Sequence, residues 1–164
     1  MTEMKHRKYD LITFGEAMVR LSPPNFQRLE QANNLDIQAG GGEFNVAVAA
    51  ARLGLKCAWV SVLPDNPLGR MVRNKAEEQG VDVSHVIISP EGRQGLYFLE
   101  FGASPRASRV LYDRQYSAIS LIQPPDINWD DIFIQAQAFH VSGITPALSK
   151  SAAETTLAAL QSAK

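Results

Sequence analysis

Residues 39–45, Ala-Gly-Gly-Gly-Glu-Phe-Asn, constrain this chain more than any other stretch. Three consecutive glycines remove every Cβ at a point where the backbone must turn and lie close to a neighbour, and glycine alone tolerates positive φ freely. Small residues follow from Phe44 through Asn45-Val46-Ala47-Val48-Ala49-Ala50-Ala51 to Arg52-Leu53 and stop at Gly54, which predicts a helix fed by a glycine loop. Such an N-terminus offers free N–H groups at the positive end of the helix dipole, a ready site for polar or anionic ligands. Two familiar patterns fail here. The dinucleotide fingerprint needs glycine or alanine where the chain has Asn45, and no Gly-Lys-Ser/Thr run supplies a Walker-type loop. A glycine loop followed by an amide suits the hydroxyls of a small polyol better than a pyrophosphate.

With 164 residues the chain has room for one domain and a sizeable core. Its formal net charge of -1 argues against nucleic acid or an anionic membrane as the main partner. The run Lys5-His6-Arg7-Lys8 closes a solvated N-terminal tail, residues 1–8. The lone Cys57 excludes an internal disulfide and reads as a buried strand thiol in a reducing cytoplasm. No apolar run reaches membrane-spanning length, and Tyr9 to Phe14 is too short for a signal-peptide core. A soluble, cytoplasmic protein is expected. His85 and His140 lack metal-ligand spacing, so no metal site is expected, and His140 reads as a core histidine on an apolar strand. Asp130 and Asp131 fit a helix N-terminus better than an acid/base pair.

Tyr9 to Phe14 predicts a first buried strand, closed by Gly15, with Glu16 just past its C-terminal end, where open α/β sheets place their ligands. Glu16 and Glu43 read equally as capping or pairing groups and are given no site role. Residues 17–38 lack helical periodicity and predict short strands and turns outside the main sheet. Cys57 to Leu63 is a near-continuous apolar strand. Asp65 or Asn66 caps a helix running to Gln79 and stopped by Gly80, and Val81 to Ile88 supplies another strand. This alternation predicts a parallel, doubly wound sheet. Residues 96–101 and 109–114 then read as a hairpin, an insertion that with residues 17–38 forms a small lid sheet. The period of two puts Val110, Tyr112 and Arg114 on one face, and Tyr97, Leu99 and Phe101 on one face. Tyr112 and Arg114 make a clamp for a small polar anion. A short helix from Asn128 or Asp130, a core strand over 138–142 and a helix opened by Ser149 or Ser151 complete the chain. A last helix that should cross to a further strand makes the chain read as half of a larger sheet.

These residues resemble the ribokinase-like (PfkB-type) sugar kinases, and within them the 2-keto-3-deoxygluconate kinases. The resemblance rests on Gly15-Glu16, Gly41-Gly42-Glu43-Phe44-Asn45-Val46-Ala47, Ala51-Arg52-Leu53-Gly54, Asp65-Asn66-Pro67-Leu68-Gly69, Tyr112-Asp113-Arg114 with Ser117-Ala118, and Ser142-Gly143-Ile144-Thr145-Pro146-Ala147-Leu148. It implies a three-layer α/β/α domain over residues 9–164, truncated, with a β lid from residues 17–38 and 93–116. It also implies a sugar pocket of Gly41, Gly42, Asn45, Tyr97, Tyr112, Arg114 and Ile144, with Arg114 holding the substrate carboxylate and the tyrosines fixing the chain and excluding water. ATP and Mg2+ are the implied co-reactants of the full-length family.

The family's Gly-Ala-Gly-Asp motif, which carries the catalytic aspartate, is absent from the sequence, as is a nucleotide site. The chain is therefore expected to be the sugar-binding half of a kinase, inactive alone. A non-catalytic sugar-binding module, or a kinase half specific for fructose or ribose, are the alternative readings. An exposed lid edge strand suits a homodimer through the lid.

Overall fold

The computed structural model describes residues 7–164, so the tail reading for residues 1–6 lies outside the described residues. Arg7 and Lys8 already touch the body: the Arg7 guanidinium donates to the Ala136 carbonyl, and Lys8 Nζ lies 3.2 Å from the Asp82 carboxylate.

The main sheet joins β1 (Tyr9–Phe14), β4 (Cys57–Pro64), β5 (Val86–Ser89) and β8 (Ala136–His140) in the order β5-β4-β1-β8, all parallel. Every residue of β4 is buried, because this strand packs on both faces. Ala58, Val60 and Val62 meet the cluster that includes Trp129, Ile132, Ala152 and Ala159. These come from α3 (Trp129–Phe133) and α4 (Lys150–Ser162). Trp59 and Leu63 meet Phe44, Ala47, Val72 and Ala76 on the opposite side. Those belong to α1 (Gly42–Arg52) and α2 (Pro67–Glu78). The fold is thus three layers, α/β/α.

Local chemistry sets the element ends. The Asn66 carboxamide oxygen accepts from the N–H groups of Leu68 and Gly69 at 3.0 Å, with Pro67 in the first turn, so Asn66 rather than Asp65 is the cap. Ser149, not Ser151, caps α4, and Asn128 caps α3. Three sequence readings shift. The strand expected from Val81 begins only at Val86, because the Asp82 carboxylate accepts the Ser84 N–H at 2.8 Å and turns the chain. The strand expected over 138–142 runs two residues earlier, since the Ser142 N–H goes to the Glu43 carboxylate instead of a ladder. It is an edge strand: Gln137 and Ala138 are exposed, and His140 is half-buried rather than core.

A second, mixed sheet has the order β3-β2-β6-β7, from β2 (Met18–Ser22), β3 (Asp36–Gly40), β6 (Leu96–Glu100) and β7 (Arg109–Asp113). This is the lid expected from residues 17–38 and 93–116, with its first segment reaching Gly40. Register puts Gln38, Arg20, Tyr97 and Tyr112 in one row across the sheet. The adjacent row on the same face reads Gly40, Met18, Gly95 and Arg114, by the two-residue pleat. The other face sets Val19, Leu21, Ala39 and Leu96 against the α1–α2 side of the core. Among the described residues no helix is long and apolar enough to cross a membrane.

The Gln27 N–H bonds the Pro24 carbonyl at 3.1 Å with Asn25 at φ 53 and Phe26 at φ 59, a tight turn whose second central position favours glycine. Replacing the exposed Phe26 by glycine (Phe26→Gly) should raise stability by about 1 kcal/mol, less the chain entropy glycine adds to the unfolded state. Urea unfolding reads this as a higher midpoint at unchanged slope, and a lower midpoint would show that the ring packs. Burial disfavours the Asp82 carboxylate, but hydrogen bonds from Ser84, Tyr9 and Lys8 outweigh it and hold its pKa well below the usual range. A depressed folded pKa adds stability that is present above the unfolded value of about 3.9 and fades as pH falls below it. Asp82→Asn should flatten the acid limb of stability against pH, measured by thermal melts from pH 7 downwards.

Candidate functional site

At the C-terminal end of β1 the Gly15 carbonyl accepts from Trp59 Nε1 at 3.1 Å and Ser61 Oγ at 2.8 Å, which fixes where the chain leaves the sheet. A Cβ on Gly15 would fall 2.3 Å from the Glu43 carboxylate, so this glycine makes room for that side chain. Glu43, buried in the first turn of α1, accepts the Ser142 N–H at 2.8 Å and lies 3.4 Å from the Thr145 hydroxyl. One carboxylate thereby joins the ends of β1 and β8 to the start of α1.

The glycine stretch works by close approach, not by positive φ. Positive φ among the glycines occurs at Gly54, Gly80 and Gly92, whereas Gly41 is extended at φ -175 as the N-cap of α1. A Cβ on Gly41 would sit 2.0 Å from the Glu16 carbonyl oxygen, and one on Gly40 would sit 3.1 Å from the Tyr97 hydroxyl. No side chain caps α1, which leaves its first N–H groups open beside Gly42. Asn45 is exposed on the next residues of that helix, its own N–H bound to the Gly41 carbonyl at 2.8 Å. Its side chain makes no capping bond to α1, whose N-cap is Gly41.

From the lid, Tyr97 and Tyr112 are cross-strand partners with ring centroids 6.0 Å apart. Arg114, just past β7, sets its guanidinium 5.8 Å from the Tyr112 ring centroid and donates to the Glu16 carboxylate. Ile144, on the loop after β8, is half-exposed, and its N–H donates to Ser142 Oγ at 3.2 Å. Gly41, Gly42, Asn45, Tyr97, Tyr112, Arg114 and Ile144 all line one cavity of about 210 Å³. Glu16, Met18, Gly40 and Glu43 complete its wall. Sequence reasoning gave Glu16 no role. Its signal was position, immediately after the first strand, but nothing local revealed that its partner lies 98 residues away.

Residues 8–164 match the profile of the pfkB family carbohydrate kinases. The chain belongs to that family. It is 47% identical over 154 residues to the 2-dehydro-3-deoxygalactonokinase of Haloferax volcanii, covering 94% of this chain and 48% of that protein. To the 2-dehydro-3-deoxygluconokinase of Thermoproteus tenax it is 33% identical over 143 residues, 87% of this chain and 44% of that protein. The crystal structure of 2-dehydro-3-deoxygluconokinase from Thermotoga maritima superposes with a TM-score of 0.91 at 42% identity, covering 93% of this chain and 47% of that one. The chain thus spans about half the length of the relatives it matches.

Adjacent glycines of this pfkB-family chain make opposite demands. Gly41→Ala must move the Glu16 carbonyl or α1 and should cost about 1–3 kcal/mol. Gly42→Ala meets nothing within 4 Å in a helical position and should be neutral or stabilising by up to about 1 kcal/mol. Urea denaturation of both variants reads the contrast, and equal effects would refute the close-approach account.

Proposed function

We propose that this chain carries the sugar-recognition part of an ATP-dependent kinase that phosphorylates 2-keto-3-deoxygluconate to its 6-phosphate. The observation that carries this reading is the single cavity in which the lid's Arg114, Tyr97 and Tyr112 face Gly41, Gly42 and Asn45 of the core. Arg114 holds the sugar-acid carboxylate by charge-assisted hydrogen bonds, for which its planar donors are shaped. Asn45 and the open N–H groups at the start of α1 bind hydroxyls. Tyr97 and Tyr112 lie along the carbon chain and keep water out, and Ile144 closes the wall from the β8 side. The names of the relatives support the substrate class, since each is a kinase of a 2-dehydro-3-deoxy sugar acid. The gluconate and galactonate forms differ in configuration at one carbon, so both belong in the test.

ATP and Mg2+ are the co-reactants in this reading. We place the nucleotide site and its metal outside the described residues. Phosphoryl transfer depends on positioning and charge stabilisation around the transferred group, so the chain alone is expected to bind sugar without turning it over. We further place a homodimer contact on the lid, where all of β7 is exposed and Val110 and Leu111 offer apolar surface at the sheet edge. Sedimentation of the wild type against Leu111→Glu checks it, with loss of a dimer expected.

Calorimetric titration with 2-keto-3-deoxygluconate, 2-keto-3-deoxygalactonate and ribose tests the substrate assignment. A keto acid should bind in preference to ribose, and Arg114→Ala should weaken it by about 10- to 100-fold, the value of a charged hydrogen-bond pair. Equal binding of ribose, or an Arg114→Ala variant that binds like the wild type, would refute the assignment.

A further inference from the structure

Glu16 sits where β1 leaves the main sheet, and its side chain is 3% exposed. One carboxylate oxygen, Oε2, accepts from the Arg114 guanidinium, joining core to lid. The other, Oε1, is buried and has no hydrogen-bond partner, and Arg114 Nε is likewise buried and unpartnered. Both residues line the 210 Å³ cavity. Unpaired buried groups of this kind are costly, a charged oxygen above all, and native structures rarely leave them without a reason. The surrounding backbone reserves space for this oxygen. A Cβ on Gly95 would come within 2.8 Å of Oε1, and Gly95 lies in the lid row beside Arg114. Tyr97, two residues on, does not reach it: its hydroxyl lies over Gly40 instead.

Oε1 fills the space that Gly95 leaves, and charge decides what it can meet on the cavity side. Glu16 neutralises Arg114, so a ligand carboxylate cannot lie beside Oε1 without repulsion and must take the guanidinium edge that Glu16 leaves free. What Oε1 can receive is a hydrogen-bond donor. A sugar acid supplies one as a hydroxyl on the same carbon chain. We propose that Glu16 is a specificity-determining residue of this pocket: Oε2 orients Arg114, and Oε1 accepts a hydrogen bond from a substrate hydroxyl. The site thereby selects hydroxylated keto acids over plain keto acids of the same length. This rests on the sugar-acid reading above and adds a discriminator to it, because a site built to bind a hydroxyl penalises an analogue that lacks it.

The test is an NMR titration, which reaches millimolar constants, of wild type, Glu16→Gln and Gly95→Ala. The ligands are 2-keto-3-deoxygluconate, ribose and 2-oxohexanoate, a six-carbon keto acid without hydroxyls. Glu16→Gln should weaken 2-keto-3-deoxygluconate by about tenfold, the difference between a charged and a neutral acceptor, and leave 2-oxohexanoate unweakened. Gly95→Ala keeps the Glu16 charge but sets a Cβ 2.8 Å from Oε1, so that oxygen must give way, and it should lose the same selectivity, which covers the case in which Glu16→Gln fails to fold. Equal weakening of both acids would reduce Glu16 to a prop for Arg114 and overturn the hydroxyl contact. Unchanged selectivity in both variants, with a wild type that still prefers the sugar acid, would overturn the Glu16 role alone. A wild type with no preference over ribose would overturn the substrate reading and this inference together.

Discussion

The site depends first on the Glu43 carboxylate. It is 1% exposed, fills the space that Gly15 leaves, and receives the Ser142 N–H. A buried carboxylate without such donors would be strongly disfavoured. Here the donors come from the loop that ends β8, so the charge can be accommodated only if β1, α1 and that loop meet at one point. That requirement ends β8 at His140 and brings Ile144 to the rim of the cavity. It also fits the general geometry of open α/β sheets. α1 and α4 leave the sheet on opposite faces, and the crevice where they part lies at the C-terminal ends of β1 and β8, the position at which open α/β sheets generally bind ligands.

The lid adds the opposing wall, and glycines set its distance. In the lid row nearest the core, Gly40 and Gly95 flank Met18. Each lacks a Cβ where a polar group of the site passes: the Tyr97 hydroxyl at Gly40 and the Glu16 carboxylate at Gly95. A Cβ at either position would press on the side-chain end it faces, so the groups that shift are those lining the cavity.

Much of this was legible in the sequence, and the reasons differ by element. The main-sheet strands and α1 declared themselves through apolar runs and helical spacing. The hairpin at residues 96–114 was marked by its alternation and its Gly-Ala-Ser-Pro turn. Seven of the eleven cavity-lining residues were named in the sequence, the glycine loop with Asn45 and the Tyr112–Arg114 clamp from spacing and the full set from motif resemblance, and the structure brings them to one place. Glycine at 41 was singled out for the right economy of space but the wrong backbone reason, because a clash with a carbonyl 25 residues earlier leaves no local trace. The start of β5 and the end of β8 were misplaced for a similar cause: in each, a side-chain carboxylate captures a backbone N–H that the apolar pattern assigns to a ladder. Glu16 was legible as a position and illegible as a partner of Arg114.

The ion pair between Glu16 and Arg114 has little to offer stability, since desolvating both groups offsets most of their attraction. Its value lies in placement, and the backbone beneath it is arranged to keep that placement. Arg93 clamps the base of the lid on both sides, its N–H bonding the Tyr116 carbonyl at 3.1 Å and its carbonyl accepting the Ala118 N–H at 2.9 Å. The Arg93 guanidinium also pairs with Asp113 at the end of β7. This clamp holds Tyr116 at φ 57, a left-handed conformation that a bulky residue adopts only under constraint. Arg114 sits between Asp113 and Tyr116, so its Cα is fixed from both directions before its side chain makes any contact. A guanidinium anchored in this way loses little further freedom when it meets an anion, which is the condition for selecting a ligand by geometry instead of by charge alone.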